Sequence, residues 1–414
     1  MLLLMLACAT KTLPIPEPMM GAAAPKTPLP DGETAPAAYG SLDCGLTVGF
    51  AGVDEELTDL LVQDNGELLV VAEAYKGRYQ EALVMSLRDQ GPSWFQVLGA
   101  GGDQDRPTAV TALDDGFMVT GGTWSTGAGQ NDMWLLRLDA AGQLEWQRTY
   151  GLYDRDLARG YVPNTEGGLV YGEMADFGAL WIQVDALGAV RGRGGVPGVH
   201  LLGVEGLPDG SALIWGTRED TGWAARVNSA GALVWEAQLP LVPVDAALDP
   251  EARGLWLLGA QGLSHLSLEG LVDKGLALPG EMEGLSPEAV GMGVGGPAVV
   301  GRATGGSAVF QLDEAGAVVW SQTLQAVEVR ELALDPRGLV VMGEGKGKQS
   351  RELFGVRLNA DTGASLCIQV PPVPELPASE AAPGSGAESA PESGAEPEEA
   401  PAAPSPAEGE ADPA

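Results

Sequence analysis

The sequence predicts an all-β protein: a β-propeller of about seven four-stranded blades, flanked by a disordered N-terminal tether and a disordered C-terminal tail. Three observations lead to this prediction. A strand-rich unit of about 45 residues recurs seven times between residues 48 and 370, and this period is typical of propeller blades. No helical periodicity persists over several turns. The 60 glycines suit a chain with many tight turns.

Two independent glycine anchors define the repeat. The first marks the tight turn before an apolar strand: Gly66, Gly116, Gly167, Gly210, Gly254, Gly296 and Gly338. The second marks the turn before the last strand of each unit: Gly91, Gly142, Gly188, Gly231, Gly270, Gly316 and Gly363. Both series give the same mean spacing of about 45 residues, as four-stranded blades require.

The second unit shows the expected strands most clearly. The pattern predicts strands at Thr108 to Leu113, Phe117 to Gly121, Asp132 to Asp139 and Leu144 to Tyr150. Turn residues separate them, and the glycine at position 116 accepts the positive φ that such turns use. Several of the equivalent strands in other units are continuously apolar, which indicates burial on both faces between neighbouring blades.

Tryptophans recur in the same frame. Trp146, Trp235 and Trp320 each follow the second anchor glycine by four residues, while Trp134, Trp181 and Trp223 precede it by seven or eight. Because aromatic side chains supply large buried areas, we expect these tryptophans to pack between blades rather than to form a ligand cage.

The first eight residues predict a truncated signal with a lipobox. Leu6-Ala7-Cys8 resembles the bacterial lipobox, in which the cysteine receives the lipid, so Cys8 is the predicted lipid attachment site. The apolar stretch is short and lacks a positive n-region, and we therefore expect the true start to lie upstream of Met1. Residues 9–40 are rich in Pro and Ala, which predicts a semi-rigid tether.

The predicted propeller occupies residues 41–371, and a different kind of sequence follows it. Residues 372–414 are a low-complexity tail of Pro, Ala, Glu, Ser and Gly without a basic residue. Such a composition cannot bury enough apolar surface to fold. We expect this tail to be disordered and acidic, with a role in solvation or spacing.

The charge of the chain excludes some partners. Its formal net charge is −34, which would repel nucleic acid phosphates and anionic lipid surfaces. We therefore expect no nucleic acid partner and membrane contact through the lipid anchor only. The predicted protein is a monomer.

Two further cysteines predict a disulfide. Cys44 stands five residues before Gly49, as Trp146 stands before Gly151, and Cys367 follows Gly363 by four. Both cysteines thus take the register of a last strand, one at each end of the repeat region. Because a propeller closes by joining its terminal strands, we predict a Cys44–Cys367 disulfide across that seam, which also implies an oxidising compartment.

Candidate catalytic and metal-binding residues are few. The two histidines, His200 and His265, show no metal-binding spacing, and no nucleophile elbow motif occurs. Units one to three open with acidic loops, so Asp103, Asp105, Asp154 and Asp156 are weak calcium candidates. Asp side chains also cap backbone amides in turns, which is the favoured interpretation. We predict no catalytic residue, no metal and no cofactor.

The second unit resembles the β-propeller repeats of bacterial secreted and lipid-anchored proteins. The resemblance rests on DGFMVTGGTWSTGAGQNDMWLLRLDAAGQLEWQRTYG, with its glycine turn, its D-x-W-L-x-x-L-D strand and its G-x-x-x-W ending. It extends over residues 48 to 370 and implies a propeller fold and export.

These observations predict a non-catalytic envelope lipoprotein of the bacterial outer membrane. Its propeller would be a scaffold that binds a protein or a glycan. The alternative is a propeller enzyme, a lyase, hydrolase or quinoprotein-like protein, acting at the channel mouth. A cluster of Glu, Arg, Tyr and His at one mouth would favour that alternative, and the fold alone does not decide between the two.

Overall fold

Seven antiparallel sheets form a closed ring, which confirms the predicted seven-bladed propeller. The computed structural model describes residues 36–367 except 64, 78, 100–103, 128–129, 152–154, 252 and 347–349. The described residues form 29 strands, numbered β1 to β29 in chain order, and one 3-10 turn at Gly280–Met282. The predicted lipobox and acidic tail lie outside the described residues.

Six blades of the described chain have four strands in sequence order, and the seventh has three such strands and two that precede the first blade in the chain. The first strands are β3 (Asp54–Val62), β7 (Asp105–Leu113), β11 (Asp156–Asn164), β15 (Val199–Gly206), β19 (Pro243–Leu248), β23 (Ser286–Gly293) and β27 (Val327–Asp335). The second strands are β4 (Leu68–Lys76), β8 (Gly116–Thr123), β12 (Gly167–Met174), β16 (Ala212–Arg218), β20 (Gly254–Gly259), β24 (Gly296–Ala303) and β28 (Gly338–Lys346). The third strands are β5 (Tyr79–Arg88), β9 (Asp132–Asp139), β13 (Gly178–Asp185), β17 (Thr221–Val227), β21 (Gly262–Ser267), β25 (Gly306–Leu312) and β29 (Arg351–Leu358). The fourth strands are β6 (Gly91–Leu98), β10 (Leu144–Tyr150), β14 (Val190–Pro197), β18 (Leu233–Gln238), β22 (Val272–Ala277), β26 (Val318–Gln325) and, in the seventh blade, β2 (Gly45–Gly49).

The first strands surround the central channel. Each one contacts the first strand of the next blade, and the contact of β27 with β3 closes the ring. We call the face on which the first strands begin the upper face. It carries the connections into each first strand and the turns between second and third strands, and the opposite, lower face carries the remaining turns.

The second strands form the apolar core of the blades. Every residue of β8 and of β20 is buried, because each second strand lies between two neighbours in its own sheet and is covered by blades on both sides. This arrangement explains the continuously apolar segments of the sequence.

Tryptophans pack against the second anchor glycine of the following blade, as expected. A side chain added at Gly270 would meet the Trp235 ring at 2.8 Å, and one at Gly363 would meet the Trp320 ring at 2.4 Å. The indole Nε1 of Trp235 also donates to the Leu268 carbonyl at 2.8 Å. The recurring G-x-x-x-W pattern therefore reflects an interlock between successive blades.

An N-terminal hairpin closes the ring. Strand β1 (Ala37–Ser41) pairs with β2, and β2 pairs with β29, so that both add to the seventh blade. The sheet thus begins at Ala37, inside the range predicted for the tether, because the residues before position 41 have a pairing partner in β2. In the described part of the chain, no helix is long and apolar enough to cross a membrane.

The predicted disulfide is confirmed, with one difference in position. The sulfur atoms of Cys44 and Cys367 are 2.03 Å apart and link residues 323 positions apart in the chain. Cys44 lies in the turn between β1 and β2, and Cys367 follows β29 outside any strand, so neither cysteine is in a last strand as predicted. The N-terminal β2 supplies that strand instead, and the bond joins its start to the end of the repeat region.

Candidate functional site

The upper mouth of the channel is built on seven equivalent β-bulges. Each first strand carries one extra residue at the same register, opposite its second strand. The extra residues are Thr58, Thr108, Arg159, Leu202, Val244, Glu288 and Arg330. Bulges re-aim side chains and are frequent near functional sites, so these seven positions define the chemistry of the mouth.

Glycines in the second strands make the bulges possible. A side chain at Gly121 would lie 2.1 Å from the Arg106 carbonyl oxygen, and one at Gly343 would lie 2.0 Å from the Glu328 carbonyl oxygen. The backbone of the bulged strand therefore occupies the space that a side chain would need.

Arg330 lies at the centre of an acidic cluster on blades six, seven and one. Its guanidinium is 3.2 Å from Glu344, 3.5 Å from Glu56, 3.6 Å from Glu328 and 4.0 Å from Glu288. Burial opposes the charge of Arg330, but the carboxylates outweigh it and raise the pKa of this arginine. The cluster fixes Arg330 in one position and satisfies its charge.

A second polar cluster covers blades one and two. The buried Glu73 forms an ion pair with Arg106 at 3.0 Å and also accepts hydrogen bonds from the Tyr75 hydroxyl and the Gln80 amide. Burial, together with the bond to Glu73, raises the pKa of Tyr75 above its ordinary value. Tyr75 therefore stays protonated and acts as a hydrogen-bond donor.

Arg159 differs from both of these arginines. It occupies the same bulge position in blade three as Arg330 does in blade seven. Its side chain is half-buried, and its Nε has no hydrogen-bond partner. Burial lowers the pKa of Arg159, Glu173 opposes this effect, and Arg106 adds to it. Unlike Arg106 and Arg330, Arg159 forms no ion pair with a residue in the part of the chain that the structure describes.

Four carboxyl groups lie below the mouth, on the first strands of four different blades. Asp59, Asp245 and Glu331 each follow the bulge directly, and Glu205 lies two residues beyond the equivalent position of its strand. Each side chain is deep in the channel wall yet remains partly accessible to water.

Burial and mutual repulsion disfavour the charged form of these carboxyl groups. Burial raises the pKa of Asp59 to about 6 and that of Asp245 to about 7, although backbone N–H groups partly oppose both shifts. The pKa of Glu205 rises to about 8 through burial and through repulsion from Asp59 and Asp245. Burial, followed by repulsion from the other three groups, also raises the pKa of Glu331.

Asp105 and Asp156, which were predicted to lie in acidic loops, instead begin first strands. Asp105 starts β7 and Asp156 starts β11, and both are buried. Asp105 accepts hydrogen bonds from the hydroxyls of Thr123 at 2.6 Å and Ser125 at 2.8 Å. Their buried position at the start of the first strands accounts for their recurrence. Asp103 and Asp154 lie outside the described residues.

Both histidines contact acidic side chains. His200 Nδ1 is 2.6 Å from Glu173 on the upper face, whereas His265 Nδ1 contacts Asp273 at 2.7 Å in blade five. No group of three or more His, Cys, Asp and Glu side chains among the described residues has the geometry of a metal site. Cys8 lies outside the described residues.

The chain is similar to solved structures of another protein in complex with a partner. Two are crystal structures of BBS1N in complex with ARL6DN, one soaked with mercury and one with lead. The first has a TM-score of 0.48 and 13% identity, covering 74% of this chain and 94% of that chain. The second has a TM-score of 0.48 and 12% identity, covering 75% and 96%. No protein-family model and no curated protein matches this sequence.

Sequence reasoning missed the channel carboxyls and the arginines of the mouth. They belong to no local motif, because the ring brings together residues that are far apart in sequence. A signal was nevertheless present: an alignment of the first strands would have placed Asp59, Asp245 and Glu331 in one column, and Arg159 and Arg330 in another.

Proposed function

We propose that this protein is a non-catalytic binding scaffold whose upper face holds a protein partner. The observation that carries the proposal is the exposed Trp124 ring with the Arg155 guanidinium 5.8 Å from its centroid. Trp124 is 36% exposed, and Tyr79, also on the upper face, is 41% exposed. Trp, Tyr and Arg are the residues most enriched at the energetic centres of protein interfaces.

The upper face also exposes apolar residues on the fifth blade. Val242 and Val244, at the start of that blade, are 46% and 47% exposed, while blades six and seven present the charged cluster around Arg330. A mixture of exposed apolar side chains and a polar rim is characteristic of interaction surfaces. The rigid ring holds both parts in fixed relative positions.

We also propose that the protein works in the bacterial envelope as a lipid-anchored monomer of the outer membrane, attached through Cys8. The Cys44–Cys367 disulfide supports export, because such bonds persist in oxidising compartments. Metabolic labelling with a palmitate analogue tests the anchor. Label on the wild type that is lost in Cys8→Ser supports it, whereas equal labelling of both contradicts it.

Site-specific photo-crosslinking tests the binding face. A photoreactive residue at position 79 on the upper face should give a discrete adduct in native membranes, and Trp124→Ala should abolish it. The same residue at position 187 is the control, because Leu187 is 68% exposed in a lower-face turn. Equal adducts from both positions would contradict the proposal, and an adduct removed by glycosidases would identify a glycan partner instead.

A propeller enzyme is the second candidate, and one observation favours it. Glu73, Tyr75 and Arg106 meet at one channel mouth, together with the Arg330 cluster, as the enzyme alternative requires. These side chains already form hydrogen bonds and an ion pair with one another, and such contacts suit a structural role better than proton transfer. A screen for lyase and hydrolase activity on glycans and esters tests this candidate, with Glu73→Gln as the variant that should remove any activity found.

A further inference from the structure

Arg159 and Arg330 occupy equivalent bulge positions but have opposite surroundings. Arg330 has four carboxylate neighbours within 4.0 Å. Arg159 makes no ion pair with any residue that the structure describes, and its Nε is left without a hydrogen-bond partner. The two arginines therefore differ in their polar contacts, although the fold places them in the same way.

The fold does not require an arginine at this position. Four other blades carry Thr58, Thr108, Leu202 or Val244 there, so uncharged side chains fit the bulge. Holding a guanidinium partly away from water without a partner costs free energy. A residue that is unfavourable for stability and unnecessary for the fold is best explained by a contact that a ligand completes.

The groups around Arg159 define the chemistry of that ligand. Glu173, whose charge acts on Arg159, is already engaged by His200 at 2.6 Å, and Arg106 is engaged by Glu73 at 3.0 Å. Leu202 supplies an apolar side chain on the adjacent first strand, and Val244 supplies one on the strand after it. The other acids of the mouth and the net charge of −34 disfavour a doubly charged phosphate.

We propose that Arg159 binds a carboxylate group of a ligand at the upper mouth, with Leu202 and Val244 contacting an apolar part of the same ligand. A planar guanidinium suits a carboxylate, because two parallel N–H···O bonds can form. The carboxylate comes either from an acidic side chain or C-terminus of the protein partner, or from a free organic acid. This inference rests on the proposed binding role of the upper face.

Binding of sodium hexanoate to the full chain tests the site, with 1-hexanol and hexylammonium as uncharged and cationic controls. We expect hexanoate alone to shift one arginine Nε resonance in a saturable way. Arg159→Gln should weaken this binding at least tenfold. Arg302→Gln is the matched control, since Arg302 lies on the same face but is paired with Glu288 at 2.9 Å, and it should bind as the wild type does.

The outcomes separate this inference from the proposed function. If Arg159→Gln also removes the photo-crosslinked adduct from position 79, the carboxylate belongs to the protein partner. If hexanoate binding is lost and the adduct remains, the source is a free acid. Absence of saturable binding, or equal binding by Arg159→Gln and the wild type, overturns the site while the crosslinking result still stands.

Thermal stability gives a second, independent readout. Arg159→Met should leave Tm unchanged or raise it by about 1–4 °C, because it removes an uncompensated charge. Arg330→Met should lower Tm, since it leaves four carboxylates without their cation. A loss of stability in Arg159→Met as large as that in Arg330→Met would show a structural role and overturn the proposal.

Discussion

Asp59 and Asp245 occupy the same register position in the first and fifth blades, and each connects its blade to the next one. Asp59 accepts a hydrogen bond from the Val110 N–H at 2.6 Å, and Asp245 accepts one from the Val290 N–H at 2.7 Å. These carboxyl groups are therefore part of the ring's structure. Together with Glu205 and Glu331 they also make the interior of the channel sensitive to pH.

The free energy of unfolding should fall as pH rises from about 5 to about 8. Asp59, Asp245 and Glu205 have pKa values near 6, 7 and 8 in the folded chain, all above those of unfolded carboxyl groups. The folded state therefore binds more protons across this range, and its stability decreases as they dissociate. Chemical denaturation at several pH values measures the slope. A rise in stability over this range would contradict the assignment.

Glu205→Gln should reduce that slope and raise the free energy of unfolding at pH 8 by about 1–2 kcal/mol. The gain is smaller than for a fully buried carboxylate, because water in the channel screens the charge. Glu205 is the best choice, because its raised pKa comes from burial and from repulsion by Asp59 and Asp245. Glu269→Gln, in an exposed turn, is the control and should leave the pH dependence unchanged. Identical slopes for both variants would argue against repulsion in the channel.

Arg357→Gln should destabilise the ring seam by about 3–5 kcal/mol. Arg357 is fully buried and contacts Asp335 at 2.7 Å, Asp43 at 2.5 Å and Asp89 at 3.1 Å. Removing its charge leaves the buried Asp335 without a cation. Arg337→Gln is the matched control: Arg337 pairs with the same Asp89 but is 46% exposed, and its loss should cost less than about 1 kcal/mol. Equal losses in urea unfolding would refute this interpretation.

The blade frame could be predicted from the sequence because its determinants are local. In the second blade, β9 (Asp132–Asp139) and β10 (Leu144–Tyr150) coincide with the predicted strands, while β7 starts three residues earlier, at Asp105. Anchor glycines such as Gly142 have positive φ, which the sequence pattern reflects directly. Turn glycines and the apolar residues of buried strands lie within a few positions of each other, so a short stretch of sequence shows both.

Long-range pairings left fewer such marks. The pairing of β2 with β29 joins segments about 300 residues apart. Closure by the terminal strands was expected, but β1, which pairs with β2, begins in the range predicted for the tether. The carboxyls at Asp59 and Asp245 belong to separate units, so their proximity follows only from ring closure. The cysteines were paired correctly because their positions at the two ends of the repeat region are themselves a long-range signal.

Gly270→Ala should destabilise the protein more than Gly295→Ala. Both glycines have positive φ, +82° and +79°, so alanine strains the backbone equally, by about 1 kcal/mol. A side chain at Gly270 would also meet the Trp235 ring at 2.8 Å, whereas nothing lies within 4 Å of one at Gly295. The clash should add about 1–3 kcal/mol. Equal urea midpoints for the two variants would mean that the Trp235 ring moves aside without a loss of stability.

Reduction of the Cys44–Cys367 bond should lower the stability of the propeller by about 2–4 kcal/mol, because the bond restricts a very long loop in the unfolded chain. Both cysteines are exposed, so a dithiol reductant can reach the bond in the folded protein. The Cys44→Ser, Cys367→Ser double variant should match the reduced wild type and respond no further to reductant. In β2 only Leu46, Thr47 and Val48 pair with β29, and we therefore expect this hairpin to show the largest increase in amide hydrogen exchange. An unchanged Tm on reduction, with both thiols verified as free by labelling, would show that the strand pairing and the Arg357 contacts hold the seam without the disulfide.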